Sequence, residues 1–113
     1  MITNEHEVIF AIVNAGYAED AMEVAREQGA RGGTILSGRG VAREKDAAFF
    51  GITIHGDKEL LMMVVEKEIR DQVFHALYKQ MGMQKKAQGI VFSLPVSHVA
   101  GLAMPETETE EQE

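Results

Sequence analysis

The chain has 113 residues, which is enough for one domain with a modest core, since domains usually contain about 100–150 residues. With 45% hydrophobic and 26% charged residues, the composition excludes fibrous and wholly disordered proteins. The net charge of −7 comes mostly from five glutamates within residues 106–113; the remaining 13 acids and 11 bases leave no basic excess for binding nucleic acid.

The first half of the chain predicts a strand, a helix and a second strand. Residues 7–13 form an unbroken apolar run of strand length. The helix follows up to Gly29, because small and apolar residues recur at helical spacing. Residues 33–37 predict a short strand that ends at 38–40, and 41–49 predict a projecting loop. The helical positions are Ala18, Ala21, Met22 and Ala25.

The second half predicts a similar series. Residues 50–54 alternate in polarity and predict a short strand returning toward the sheet, followed by a turn at 55–58. Strands are expected at 60–65 and 89–96, with a helix between them that opens at 66–68 and ends at Gly82. The stripe of this helix is Ile69, Val73, Ala76, Leu77 and Met81, and we assign Met22, Met62, Met63 and Met81 to the core.

These elements predict an α+β fold of the ferredoxin-like βαββαβ kind, an antiparallel sheet with two helices on one face. The domain is expected over residues 1–104, and the alternating Thr and Glu of 105–113 predict a disordered acidic tail. The strands at 8–13, 60–65 and 90–94 are apolar on both faces. Because two helices cover only one face, we expect other copies of the chain to cover the second.

The chain contains no cysteine, which excludes disulfides, thiolate metal sites and cysteine nucleophiles. The N-terminal residues lack the pattern of a secretory signal, and the longest apolar run, 60–65, is far shorter than the ~20 residues of a membrane helix. We therefore expect a cytoplasmic protein that is not inserted in a membrane.

Two glycine-bearing segments are the best candidates for ligand binding. Five of the twelve residues 29–40 are glycine, and they allow backbone N–H groups and Arg39 to approach an anion. The loop 82–89 adds Lys85 and Lys86. The alternative for the first segment is that its glycines serve a helix cap and tight turns. For the second segment taken alone, a solvated turn is the favoured interpretation. The four histidines have no metal-site spacing, and neither a Gly-x-Ser-x-Gly elbow nor a carboxylate pair indicates catalysis.

Several segments together resemble the P-II-like family of signal-transduction proteins, as a divergent branch. Their order along the chain is Asn14-Ala15-Gly16, Gly29-Ala30-Arg31-Gly32-Gly33-Thr34-Ile35, Arg39-Gly40, Phe50-Gly51-Ile52, Lys58-Glu59, Gly89-Ile90-Val91-Phe92-Ser93-Leu94-Pro95-Val96 and Val99-Ala100-Gly101-Leu102. The resemblance implies a homotrimer whose sheets pack around a shared axis. It also implies an adenine-nucleotide site between neighbouring subunits, formed by Gly33, Thr34, Gly38, Arg39, Gly40, Lys85, Lys86, Gln88 and Gly89.

The chain departs from the nitrogen regulators of this family in four places, among them Ile90 in place of a lysine of the B-loop and a shorter stretch from Thr34 to Arg39. Gly40 stands where they have a glutamine that helps to hold Mg-ATP and 2-oxoglutarate, which argues against 2-oxoglutarate sensing. The absence of tyrosine between Gly40 and Lys58 removes the target for uridylylation of the loop.

The resemblance implies a regulatory protein that is not an enzyme and has no prosthetic group or catalytic metal. ATP, ADP or AMP, with Mg²⁺ as its accompanying ion, is the expected ligand, and the 41–50 loop contacts a target such as a transporter or an enzyme. The alternatives are a small ferredoxin-like enzyme acting on a metabolite in the same cleft and a metal-responsive structural trimer. The expectation of a role in nitrogen regulation follows from the family alone.

Overall fold

The computed structural model describes residues 2–3, 5–41, 48–49, 52–53 and 56–102. The predicted tail at 105–113 lies outside these ranges. Four long strands and two helices confirm the ferredoxin-like order. The elements are β1 (Ile2–Thr3), β2 (His6–Asn14), α1 (Ala18–Glu27), β3 (Thr34–Gly40), β4 (Ala48–Phe49), β5 (Ile52–Thr53), β6 (Gly56–Glu66), α2 (Lys67–Met81), β7 (Ile90–Pro95) and β8 (Val99–Ala100).

The main sheet is antiparallel and has the strand order β3-β6-β2-β7. The central strand β2 pairs with β6 along the whole length of β2, so that Ile12 faces Leu60 on one side and Ile90 of β7 on the other. β1 and β8 form a separate two-stranded ladder. Since residues directly opposite each other in a ladder point to the same face, this register defines two faces for the sheet.

Both helices cover one face of the sheet, as predicted. The fully buried strand residues alternate along the two central strands and pack on the apolar stripes of the helices, with Ile69 partly buried beside them. Among the described residues, neither helix is long and apolar enough to cross a bilayer. The core comprises Ile9, Ala11, Val13, Leu61, Met63 and Val65 from the sheet, and Ala18, Ala21, Met22, Ala25, Val73, Leu77 and Met81 from the helices.

The other face of the sheet is apolar but has no cover within the described chain. Cross-strand rows run over it: Leu36, Leu60, Ile12 and Ile90 form one, and Met62, Phe10 and Phe92 lie in the next. Phe10 and Phe92 stack with 5.0 Å between ring centroids. Large side chains of this open face stay exposed, among them Leu36, Val64, Ile90, Phe92 and Leu94. The assignment of Met62 to the core was therefore wrong, because Met62 belongs to this open face.

Three local predictions were also wrong. Residues 38–40 do not end the second strand and 56–58 do not form a turn, because the two segments pair with each other at the ends of β3 and β6. Backbone hydrogen bonds between distant segments keep these glycine-rich residues extended, which turn rules do not anticipate. Within the predicted strand at 50–54, the described part is Ile52–Thr53, which pairs with β4 rather than with the main sheet, with Phe49 opposite Ile52. Of the predicted 41–49 loop, residues 42–47 lie outside the described residues, and Ala48–Phe49 is strand β4.

Candidate functional site

A pocket of about 430 Å³ opens where the chain leaves α1 and enters β3. The turn 29–34 forms one wall, and Met62, Val64 and Ile69 form an apolar floor. Helix α1 ends in a Schellman motif, since the N–H groups of Gly29 and Ala30 bond to Arg26 and Ala25, and the positive φ of Gly29 (108°) allows this turn. The end of the helix therefore fixes the wall of the pocket.

Polar groups lie at one edge of this pocket. Arg31 and Glu66 form an ion pair with an N–O distance of 3.8 Å, and both side chains remain about half exposed. His6 lies across the β2–β6 ladder from Glu66. The Nδ1 atom of His6 is buried and has no hydrogen-bond partner within the described part of the chain. The pocket thus combines an apolar floor with a few polar groups, which is typical of small-molecule sites.

Two predicted site glycines differ in what the chain itself requires of them. A Cβ atom on Gly33 would lie 2.8 Å from the carbonyl oxygen of Met62 and 2.9 Å from side-chain atoms of Leu61 and Met63. Glycine at 33 is therefore required by the close approach of β6. A Cβ atom on Gly38 would meet nothing within 4 Å, so nothing in the described chain demands glycine at 38. A close approach from outside the chain is one use for such a position.

A polar cluster occupies the opposite end of the sheet, where β2 ends and β6 begins. The Asn14 side chain lies at its centre: Nδ2 donates to the carbonyl oxygen of Lys86 (3.0 Å) and to Oε1 of Gln88 (3.4 Å), and Oδ1 accepts from Nζ of Lys58 (2.8 Å). Lys58 pairs with Gly38 across the ladder. The cluster therefore joins the end of β3 to the loop between α2 and β7.

The loop 82–89 is closed by backbone contacts at its ends. Gly82 and Gly89 form a bridge, and the Gly89 N–H donates to the carbonyl oxygen of Met81 at 2.7 Å. Inside the loop, Gln88 has a positive φ of 49°, a conformation uncommon for a residue with a side chain. Lys85 and Lys86 are exposed. The loop thus presents two ammonium groups to solvent from a backbone that is held at both ends.

Glu59 holds the first turn of α1 beside this cluster. Tyr17, the N-cap residue of α1, makes no side-chain cap bond. Instead, Oε1 of Glu59 accepts the N–H groups of Gly16 (3.1 Å) and Ala18 (3.0 Å). A carboxylate at a helix N-terminus satisfies free N–H groups and interacts favourably with the helix dipole. In the sequence, Glu59 appeared only in the segment Lys58-Glu59 of the family resemblance. The structure gives it a role, because Glu59 of β6 caps the N-terminus of α1.

The predicted site residues fall into two groups within one chain. Gly33 and Thr34 line the pocket, whereas Gly38, Gly40, Lys85, Lys86, Gln88 and Gly89 lie at or near the polar end. The register places Arg39 opposite Asp57, on the face away from Gly38 and Lys58, so the chain alone does not bring its guanidinium to Asn14.

Asn14 and Lys58 were missing from the predicted site, although both contact its loop or its strand. The sequence signals for Asn14 were its place in the resemblance segment Asn14-Ala15-Gly16 and its position as a polar residue directly after an apolar strand. The described residues contain no group of three or more His, Asp or Glu side chains placed to hold a metal ion.

Comparisons with known proteins found one matching family and several similar structures. The family model described as nitrogen regulatory protein P-II matches residues 6–104. A crystal structure of Arabidopsis thaliana PII bound to citrate is similar, with 21% identity over 84% of this chain and 78% of that chain and a TM-score of 0.62. A PII-like signalling protein from Thermus thermophilus shares 18% identity over 83% of this chain and 87% of that chain, with a TM-score of 0.63. No curated protein matches the sequence.

Proposed function

The chain belongs to the nitrogen regulatory protein P-II family of signal-transduction proteins, and we propose that it binds an adenine nucleotide in the clefts between subunits of a homotrimer. ATP, ADP or AMP is the ligand, and its occupancy changes the state of the 41–50 loop, which contacts a target protein. The chain acts as a regulator and does not consume the nucleotide. Members of the family are regulatory proteins, and the proposal specifies how this member receives its signal.

One observation supports the proposal: the pocket and the polar cluster lie at opposite ends of the sheet, and we interpret them as the two halves of one site. Val64 lines the pocket and Lys58 belongs to the polar cluster, and they lie six positions apart along β6. At ~3.4 Å per residue this is about 20 Å, and Met62, the pocket residue of β6 nearest to Lys58, is about 14 Å from it. A second subunit that places its polar end beside the pocket of the first completes the site.

The open face supplies the reason for such an arrangement. Its apolar rows lie between the two half-sites and are uncovered in the single chain. Monomers rarely expose patches larger than a few hundred Å². A head-to-tail interface that closes into a ring uses two different surfaces of each subunit, so it brings the polar end of one copy to the pocket of the next.

The chemistry of each half fits one part of a nucleotide. The pocket offers Met62, Val64 and Ile69 to the flat apolar faces of a base, with backbone groups of the turn 29–34 at its edge. The polar end offers the ammonium groups of Lys58, Lys85 and Lys86 to phosphates. Mg²⁺ prefers phosphate oxygens and water, and since the described residues hold no metal-ligand cluster, it accompanies the nucleotide rather than the protein.

Calorimetric titration with ATP, ADP and AMP tests this function. At least one of them is expected to bind, and Lys86→Ala is expected to weaken binding about tenfold through the loss of a charge-assisted phosphate contact. Arg39→Ala is also expected to weaken nucleotide binding, because in the proposed trimer Arg39 contacts the ligand in the cleft between subunits. This change is not expected to unfold the protein, since Arg39 is exposed. Lys79→Ala, which removes an exposed lysine of α2, is the matched control.

The titration also separates regulation from the competing possibilities. Citrate, which is bound in the Arabidopsis PII structure, is titrated alongside the nucleotides as a carboxylate ligand. No heat and no thermal shift with any nucleotide would leave the proposal without support. Multi-turnover consumption of the nucleotide that is lost in Lys86→Ala would identify an enzyme instead.

A further inference from the structure

Asn14 joins two segments that lie far apart in the sequence. Its amide nitrogen donates to the loop 82–89 at Lys86 and Gln88, and its amide oxygen accepts from Lys58 on β6. The orientation of the amide is fixed by these partners, because an NH₂ group facing the Lys58 ammonium would pair two donors. Each polar atom of this side chain therefore has an assigned contact.

The backbone holds residue 14 in place independently of its side chain. The Asn14 N–H donates to the carbonyl oxygen of Ala87 at 2.8 Å, and the Ala15 N–H donates to that of Asp57 at 3.1 Å. Tyr17 donates to the carbonyl oxygen of Asn14 at 3.1 Å. Removing the side chain thus leaves these main-chain bonds available, so the role of the amide can be tested without dismantling the end of β2.

Lys58 connects the amide to the base of the 41–55 segment. β3 and β6 pair up to Gly40 and Gly56, and Lys58 lies two residues inside that pair, opposite Gly38. A lysine side chain loses considerable rotamer entropy when it is fixed, and the 2.8 Å bond to Asn14 fixes its ammonium toward the loop. The amide that holds the loop is therefore one of the contacts that position Lys58.

The loop side of the contact involves a strained residue. Gln88 adopts its positive φ of 49° at a conformational cost, and its side chain accepts a hydrogen bond from Asn14. Any ligand that moves the Lys86 carbonyl or the Gln88 side chain alters the two hydrogen bonds that Nδ2 of Asn14 donates. Because the amide is planar, a rotation that follows the loop also moves the oxygen that Lys58 uses.

We propose that Asn14 is the positioning residue that couples the loop 82–89 to Lys58 and thereby to the base of the 41–55 segment. The identity of the ligand rests on the proposed function, whereas the coupling is a property of the unliganded chain. In energetic terms, the loop and the Lys58 ammonium share one hydrogen-bonded unit, and a change at either end alters the free energy of the other.

Hydrogen–deuterium exchange on the unliganded protein tests the coupling. Asn14→Ala is expected to speed exchange about fivefold both in residues 85–89 and in residues 56–58, as fits the loss of hydrogen bonds from two local structures. Asn14→Asp keeps the acceptor for Lys58 but places a carboxylate against two oxygens. It is therefore expected to speed exchange in 85–89 and to leave 56–58 unchanged. Gln72→Ala removes a comparable side-chain bond, to the carbonyl oxygen of Gln28, and serves as the control.

A double-mutant comparison separates coupling from a local packing role. Gln88→Ala in the wild-type background is expected to speed exchange in 56–58 severalfold, but to add nothing there when Asn14 is already alanine. Equal effects of Gln88→Ala in both backgrounds, or exchange in Asn14→Ala that rises only in 85–89, would overturn the proposal. Neither result depends on nucleotide. A protein that binds no nucleotide yet shows the coupled exchange would refute the proposed function and retain the role of Asn14.

Discussion

Replacing Phe92 with glutamate is expected to break the proposed trimer into single chains. Phe92 lies on the open face, stacks on Phe10, and is 39% exposed in the single chain. An aromatic side chain has roughly 200 Å² of surface, so about 80 Å² is exposed, and covering it contributes about 2 kcal/mol per subunit at ~25 cal/mol per Å². A carboxylate buried in its place costs several kcal/mol more, and each of the three subunits carries one.

Light scattering at micromolar concentration measures the outcome. The wild type is expected to have the mass of three chains and Phe92→Glu the mass of one, with circular dichroism showing that the variant stays folded. Tyr78→Glu is the matched control, since Tyr78 is an aromatic residue of α2 that is 65% exposed; it is expected to keep the trimer. A Phe92→Glu protein that retains the mass of the wild type would show that the open face does not form the interface.

Three further predictions concern residues of the pocket and of the polar end. Gly33→Ala is expected to lower the free energy of unfolding measured in urea by about 1–3 kcal/mol, because its Cβ overlaps β6. Gly38→Ala, whose Cβ meets nothing within 4 Å in the described residues, is expected to leave stability unchanged and weaken nucleotide binding in calorimetry; full affinity would remove Gly38 from the site. Glu59→Ala is expected to cost about 1–2 kcal/mol in the same urea measurement through the lost cap of α1, and unchanged stability would contradict that role.

The local pattern of the sequence predicts the secondary structure where apolar residues dominate. The runs at 7–13 and 60–65 identify the two central strands, and the stripe that includes Val73 and Leu77 identifies α2. The pattern fails where the partner of a segment is distant. Residues 38–40 and 56–58 carry turn-like residues, and only their pairing with each other extends β3 and β6.

The candidate site is predicted less completely than the fold, and for a related reason. Strand β6 carries apolar residues on both of its faces, so the sequence cannot distinguish Met63 in the core from Met62 on the open face. The apolar residues that line the pocket therefore cannot be identified from the sequence. Gly33 and Thr34 do line that pocket. Asn14 entered only as part of the segment Asn14-Ala15-Gly16 of the resemblance and received no role, because its partners at Lys58 and Lys86 come from segments more than forty residues away.

Mixing two inactive variants tests the inter-subunit site most directly. Gly32→Phe is designed to fill the pocket, at a position where the described chain leaves space for a side chain. Lys86→Glu places a negative charge at the polar end, where it repels the phosphates of the nucleotide. Each variant alone is expected to bind no nucleotide. Trimers refolded from an equal mixture are expected to regain about a quarter of the wild-type sites in calorimetry, because a head-to-tail interface needs one intact half from each of two neighbours. Recovery of no sites from well-mixed trimers would show that the nucleotide binds within a single chain.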